Sequence, residues 1–152
     1  MGVLFGYYAA ADDQDAGRAI LREDGEPRGT GYDEFVVKGI DPVSDLLPAE
    51  VLITGRAAED VKADPRHAHL VAMVGEGEVV MVSLTDTFRD SLASFDPGLL
   101  DAVAQGWVAS GDFYTPPDAD GIDDLAAFLR QLATLAQRAV TREQRLYCWI
   151  CP

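Results

Sequence analysis

Short apolar runs alternate along this chain with charged or glycine-rich stretches, and their spacing predicts the elements. Residues 3–9 (VLFGYYA) form an aromatic run typical of a strand, and the acidic AADDQD after it favours a helix over about residues 13–22. The glycine-rich EDGEPRGTGYDE indicates a surface loop, and EFVVKGI predicts a second strand.

The next segment predicts short helices. Asp41 is a favourable N-cap, and Pro42 fits the first position of a helix that runs through Leu47 and stops at Pro48. VLITG then either continues that helix or is extended, and AAEDVKA predicts a helical turn that ends at Asp64-Pro65.

A β-hairpin follows in the sequence. HLVAMV and EVVMVSL are apolar runs on either side of Gly75-Glu76-Gly77, which favours a short turn. Because both runs are apolar almost throughout, we expect both strands to be central and covered on both faces.

Two helices are predicted after the hairpin. Thr85, Asp86 and Thr87 are successive N-cap candidates for a helix that runs to about Ser94. Asp96-Pro97 has the pattern that opens the second helix.

The longest helical pattern runs from Ile122 to Ala139, where apolar residues recur at three- and four-residue steps. LYCWIC then predicts a terminal strand, which its apolar side chains place inside the sheet. This order of elements predicts an α+β fold with a mixed or largely antiparallel sheet of about five strands and helices packed on it. We expect residues 1–152 to form a single globular domain.

The charge of the chain narrows the choice of partners. Of its 152 residues, 26 are acidic and 12 are basic, so the formal net charge is −14. We expect no nucleic-acid partner, because phosphate contacts need clustered Lys and Arg, whereas an acidic surface attracts a basic protein partner. We expect no membrane segment either, since no run approaches about 18 apolar residues.

Cys148 and Cys151 match the pattern C-x-x-C, but only Pro152 follows them, so no helix is expected to activate a thiol. Positions three apart on a strand face opposite sides, which disfavours a disulfide or a shared metal. We therefore expect structural cysteines in a reducing cytoplasmic compartment, with no cofactor and no metal. The sequence leaves a redox role open.

His67 and His69 are the two histidines of the chain. A spacing of two on a strand would place both on one face, as a metal pair or an acid–base pair requires. The sequence identifies no third ligand, so an ordinary surface pair is the alternative interpretation.

Thr85, Asp86 and Arg89 follow the second predicted hairpin strand, at a strand end where pockets often form. They either form a binding pocket together with His67 and His69, or they cap a helix and form an exposed ion pair. No nucleophile, phosphate-loop or metalloprotease motif is present, so no catalytic residue can be named.

Trp107, Phe113 and Tyr114 lie in and beside GDFYTPPDADG, a segment otherwise typical of a loop. Aromatic side chains there either pack the loop onto the core or contact a partner or ligand.

Four segments resemble the YfbM-like family of uncharacterised bacterial proteins. MGVLFGYYAAADDQD is similar to the family's start, IDPVSDLLPAEVLITG to its Ile-Asp segment, LTDTFRDSLASFD to its central helix, and the long helix with LYCWIC to its end. The Trp and His that the family tends to carry before Leu-Thr-Gly are missing here. The resemblance implies an α+β domain and no particular activity.

Two hypotheses about function follow. The first is an acidic binding or interaction module for a basic protein, with an accessory or immunity-like role. The second is a small enzyme or small-molecule-binding domain with a pocket near Thr85, Asp86, Arg89 and the two histidines.

Overall fold

A computed structural model describes residues 3–18, 32–110 and 119–152. Within these residues, a five-stranded antiparallel sheet has the strand order β2-β1-β5-β4-β3. The strands are β1 (Leu4–Ala10), β2 (Glu34–Lys38), β3 (Leu70–Val74), β4 (Val79–Ser83) and β5 (Arg145–Cys151). The helices are α1 (Asp13–Arg18), α2 (Leu47–Thr54), α3 (Ala58–Ala63), α4 (Asp86–Ser94), α5 (Leu100–Ser110) and α6 (Ala119–Thr141), with a 3₁₀ turn at Pro97–Leu99.

The predicted α+β fold is confirmed, and so is the position of the terminal strand. Strand β5 lies between β1 and β4, and it pairs with β1 along all seven of its residues. Its side chains are apolar toward both faces, as expected of a central strand. Leu146 and Cys148 face the larger core, whereas Tyr147 and Trp149 face the smaller one.

The larger core lies between the sheet and the helices. The side chain of Tyr7 on β1 contacts Phe35 and Phe128 at ring-centroid distances of 5.6 and 5.1 Å. On the other face of the sheet, Tyr8 is buried and its hydroxyl donates to the backbone oxygen of Ala16 in α1 at 2.8 Å. Both faces of β1 are thus covered, which explains its run of apolar residues.

Helix α6 confirms the predicted apolar stripe. The stripe is buried at three- and four-residue steps from Leu125 onward, Ile122 is half-buried, and the intervening positions are exposed apart from Ala126 and Ala133. The buried side chains of the stripe are Leu125, Phe128, Leu129, Leu132, Leu135, Ala136 and Ala139.

The prediction of a helix from Pro42 to Leu47 was wrong. Residues 42–45 form only a turn, and the helix begins at Leu47 with Pro48 in its first turn. Proline fits that position because the first N–H groups of a helix have no partner within the helix. Pro48 therefore starts α2 instead of ending a helix, and VLITG continues it as far as Thr54.

The hairpin is confirmed, but β3 is an outer strand and not a central one. Leu70 and Met73 are 49% and 51% exposed. A bulge between Leu70 and Ala72 interrupts the pairing with β4. The apolar composition of a strand does not reveal how many neighbours it has, so the prediction for β3 failed while that for β4 held.

Two helix starts lie close to their predicted positions. Thr85 is the N-cap of α4, and its hydroxyl accepts from the backbone N–H of Phe88 at 3.1 Å. Asp96 caps the 3₁₀ turn through a bond from Gly98 N–H at 2.9 Å. Each side-chain oxygen thus satisfies an N–H group that the helix itself cannot.

We predict that Gly6→Ala destabilises the protein by about 1–3 kcal/mol. The indole of Trp149 lies against the α-carbon of Gly6, so that a Cβ there would come within 1.9 Å of the ring. The ring is fully buried and has no room to withdraw. Urea denaturation of the variant and the wild type measures the difference.

Gly17→Ala is the matched control. A Cβ at Gly17 would lie 3.5 Å from the Cβ of Ala72, an ordinary contact, and alanine favours the helix by about 0.5–1 kcal/mol. Equal stabilities of the Gly6 and Gly17 variants would show that the contact with Trp149 does not restrict position 6.

Candidate functional site

Charged side chains from four segments meet at one end of the sheet. This end is formed where β1 finishes and β5 begins, because Ala10 pairs with Arg145, and where β4 leads into α4. We call this group the arginine–aspartate cluster, and it consists of Asp13, Arg66, Asp86, Arg89, Arg145 and Tyr147.

Asp13 and Arg66 form the best-aligned pair of the cluster. Both terminal nitrogens of Arg66 lie 3.1 Å from Oδ1 of Asp13. The Tyr147 hydroxyl donates to the same oxygen at 2.7 Å, and the Arg66 guanidinium lies 5.7 Å from the centre of the Tyr147 ring. The pair links the first helix to a turn 53 residues away.

The pKa values of this group follow from its contacts. Partial burial by itself would raise the pKa of Asp13, but the hydrogen bond from Tyr147 and the charge of Arg66 outweigh burial and lower it. Burial, together with the bond to Asp13, raises the pKa of the Tyr147 hydroxyl. Asp13 is therefore an anion and Tyr147 a neutral donor at neutral pH.

Asp86 lies among three guanidinium groups. Its carboxylate oxygens are 3.7 Å from Nε of Arg66, 3.7 Å from Nη1 of Arg89 and 3.6 Å from Nε of Arg145. Among the described residues, Oδ1 of Asp86 and Nε of Arg66 are buried without a hydrogen-bond partner. Arginine stays protonated at any working pH, so these groups hold charge and cannot exchange protons in a reaction.

Thr85 adjoins the cluster but faces the helices. Its side chain is buried, and its hydroxyl donates to Oε2 of Glu50 at 2.7 Å. Glu50 is itself 3% exposed, and burial raises its pKa although the Thr85 bond and the charge of Arg56 oppose the rise. A buried carboxyl group with a raised pKa is a common feature of functional sites.

Glu50 is not among the residues that the sequence patterns single out, yet the sequence holds a signal for it. Glu50 is the one charged residue in LLPAEVLITG, residues 46–55, where an apolar segment surrounds it. The sequence holds no comparable signal for the ion pair of Arg66 and Asp13, because the sheet brings these two residues together from distant parts of the chain.

The two histidines do not lie on a strand, so the expected strand spacing does not apply. His67 belongs to a turn, and Ala68 between them has a left-handed φ of 49°. His69 precedes β3, and its backbone oxygen accepts from Ser83 N–H at 2.9 Å. Burial lowers the pKa of His67. In the described part of the chain, no three His, Cys, Asp or Glu side chains are grouped to hold a metal ion.

Trp107 lies in the core. It is fully buried, packs 6.1 Å from Phe128 between ring centres, and donates from Nε1 to the backbone oxygen of Asp45 at 2.8 Å. Of the two interpretations of this residue, packing onto the core is the one that its position fits. Phe113 and Tyr114 lie outside the described residues.

Cys148 and Cys151 are free thiols on opposite faces of β5. Cys148 is fully buried, and its burial raises the pKa of its thiol. A thiol with a raised pKa is a poor nucleophile, which favours a structural role for Cys148.

An apolar groove and an arginine groove lie outside the arginine–aspartate cluster. The apolar groove, of about 300 Å³, lies between α2, α3 and the end of α5, and its lining residues are Leu47, Pro48, Val51, Leu52, Ala58 and Ser110. The arginine groove, of about 390 Å³, lies between β2 and α6, and its lining residues are Glu34, Phe35, Arg130, Gln131, Thr134 and Arg138. Both volumes are large enough for a ligand or for partner side chains.

Comparison with protein-family models, curated proteins and solved structures found no match to this chain. The resemblance to the YfbM-like family stays a prediction. None of the helices in the described ranges combines the length and apolarity needed to cross a bilayer.

We predict that Asp13→Asn lowers stability at pH 7 and that the difference shrinks as the pH falls below about 4. The pKa of Asp13 is lower in the folded protein than in the unfolded chain. The ionised carboxylate therefore stabilises the fold at pH values above the unfolded pKa, and this stabilisation is lost when the carboxylate is protonated. Thermal melts between pH 3 and pH 7 provide the measurement.

Asp60→Asn serves as the control for Asp13, because Asp60 is exposed and its side chain has no ion pair among the described residues. Its stability should follow the wild type over the whole range. A difference for Asp13→Asn that persists unchanged at pH 3 would contradict the role given to this carboxylate.

We predict that Glu50→Gln stabilises the protein at pH 7 to 8 and has little effect near pH 4. Burial raises the pKa of Glu50 in the folded protein above its pKa in the unfolded chain. The folded state therefore loses stability as the pH rises from the unfolded pKa to the folded pKa. An amide keeps the acceptor for Thr85 without a buried charge. The expected gain is a few degrees in Tm, at about 2–4 °C per kcal/mol.

Glu59→Gln, an exposed change nearby in the sequence, should leave Tm unchanged. A lower Tm for Glu50→Gln at pH 7 would mean that ionised Glu50 stabilises the fold through Arg56, contrary to this prediction.

Proposed function

We propose that this chain is an interaction module that binds a basic protein partner through the apolar groove. The observation that carries the proposal is the exposed apolar surface of this groove, where Leu52 is 43% exposed beside Leu47 and Val51. An exposed apolar depression on a strongly charged protein is typical of a partner site.

The chemistry of the rim supports a basic partner. Glu59 and Asp60 directly follow Ala58, a lining residue, and both are exposed. Neither carboxylate has an ion pair among the described residues, and Lys62 is the one basic residue on α3. Apolar side chains of a partner would fill the groove, while its Lys or Arg would meet these acids.

The geometry of the groove favours a helical partner segment. The floor is formed by α2 and α5, and Leu52 lies against Gly106, where a Cβ would come within 3.2 Å of a Leu52 methyl group. An amphipathic helix presents apolar residues at i, i+3 and i+4, which fits a groove between helices. The net charge of −14 would attract such a basic segment at long range.

An accessory or immunity-like role in the cytoplasm is the biological setting that we propose. Two free cysteines without a disulfide support a reducing compartment. The alternative, a small-molecule or catalytic pocket near Thr85 and Asp86, has less support, because the Thr85 hydroxyl already donates to Glu50 and accepts from Phe88.

We predict that Leu52→Asp weakens capture of the partner at least tenfold, about 1.4 kcal/mol, because it places a charge in the apolar groove. Affinity capture from cell extract with the wild-type chain as bait, at 50 and 300 mM salt, identifies proteins whose binding falls with ionic strength. Glu59→Lys with Asp60→Lys should remove most of that salt dependence.

Leu99→Asp is the matched control, since Leu99 is 52% exposed and lies outside the groove. It should capture the same proteins as the wild type. Equal capture by Leu52→Asp and Leu99→Asp, or a set of captured proteins that does not respond to salt, would refute the proposal.

A further inference from the structure

We propose that the arginine groove binds an acidic peptide segment in an extended conformation. This site is separate from the apolar groove and would be occupied by a partner of opposite charge. The first evidence is the charge of the later part of α6 and the residue after it, because residues 125–142 include three arginines and no acidic residue.

Helix electrostatics accounts for only part of this pattern. Cations are favourable in the last turn of a helix, which explains Arg138 near the end of α6. Arg130 lies near the middle of the helix, where the dipole has little effect, and it is exposed and lines the groove. Arg130 pairs with Asp101 of α5, and the donors that this pair does not use are available to a bound anion.

The arginines of this region have unused donors. Arg130 donates from Nη2 to Asp101 at 2.6 Å, and Arg138 donates from both Nε and Nη2 to Asp33, at 2.5 and 2.8 Å. Arg142 shares Asp33, with its Nη1 at 3.6 Å. Asp101 and Asp33 pair with these three guanidinium groups, each with five N–H donors, and all three arginine side chains are about half-exposed. Glu34, which also lines the groove, accepts from Nε1 of Trp149 at 3.2 Å.

The opposite wall of the groove is an outer strand of the sheet. Phe35 of β2 contributes its aromatic ring to the lining, and the ring is held in place by Tyr7 and Phe128. A groove between an outer strand and a helix is the geometry in which domains bind extended peptides, with side chains of the peptide directed to pockets along the helix.

The spacing of the arginines fits the spacing of a strand. Arg130 and Arg138 are eight residues apart on a helix, which is about 12 Å at 1.5 Å per residue. In an extended peptide, side chains four residues apart are on one side and separated by about 13 Å. Acidic residues at positions 1 and 5 of a peptide therefore match Arg130 and Arg138, and position 3 matches Thr134.

A peptide is favoured over nucleic acid at this site. A carboxylate matches the planar guanidinium as well as a phosphate does, so the strand beside the arginines decides between the two ligands. An outer strand offers peptide backbone pairing that a sugar–phosphate chain cannot reproduce.

The test measures fluorescence anisotropy of a rhodamine-labelled nine-residue peptide of Thr and Val with glutamates at positions 1 and 5. A second peptide of equal composition has its glutamates at positions 1 and 2. The wild-type chain should bind the first peptide at least about fivefold more tightly than the second, since only the first reaches both arginines.

Arg130→Ala and Arg138→Ala should each weaken binding of the first peptide by about fivefold to tenfold. Lys62→Ala removes the same charge from an exposed position outside the groove and should change binding less than twofold. Leu52→Asp should also leave this binding unchanged, so that failure here and failure of the apolar-groove proposal are distinguished.

A variant that binds more tightly cannot be explained by loss of folding, so it tests the proposal independently of the alanine variants. Thr134→Lys adds a cation between the two arginines and should tighten binding of a peptide with glutamates at positions 1, 3 and 5. Circular dichroism spectra confirm that each variant is folded.

Three results would overturn the proposal: equal binding of both peptides, no binding up to millimolar concentration, or unchanged binding by the Arg130 and Arg138 variants. Tighter binding of a nine-nucleotide oligothymidylate than of the peptide, lost in Arg138→Ala, would assign the groove to phosphate and overturn it as well.

Discussion

Strand β5 holds the sheet together, because each of its neighbours is otherwise paired only with an outer strand. Its pairing of Leu4 with Cys151 closes almost the whole chain into one loop. Closing such a loop is entropically unfavourable, and burial of Tyr147, Cys148 and Trp149 on both faces offsets the loss. The arginine–aspartate cluster depends on the same strand, since Arg145 and Tyr147 belong to it.

The arginine–aspartate cluster fixes elements that the sheet alone does not orient. Asp13 lies at the start of α1, Arg66 in the turn before β3, and Asp86 at the start of α4. Partly exposed ion pairs contribute little energy individually, but together these contacts determine how the segments meet. The buried hydrogen bond between Thr85 and Glu50 extends the polar contacts into the helices. Glu50 is shielded from solvent there, which makes ionisation of its carboxyl group unfavourable.

The helix dipole accounts for part of the way in which charged residues are distributed along the chain. The acids Asp120, Asp123 and Asp124 lie in and near the first turn of α6, and Arg138 lies near its end, as the helix dipole favours. Glu59 and Asp60 follow the same rule, because they lie in the first turn of α3, and Arg130 does not, because it lies near the middle of α6. Within α6, Arg130 is thus the charge that the dipole leaves unexplained, and it lines the arginine groove.

The sequence by itself determined the elements whose signals are local. The apolar steps of α6, the hairpin at Gly75, the central placement of LYCWIC and the cap at Thr85 follow from periodicity and turn chemistry. The tertiary structure alone decided that β3 is an outer strand, that Pro48 starts a helix, that Arg66 meets Asp13, and that Arg130 and Arg138 line a groove with Phe35. The physical reason is that periodicity records which face of an element is buried, whereas neighbours and ion pairs depend on contacts between residues far apart in the chain.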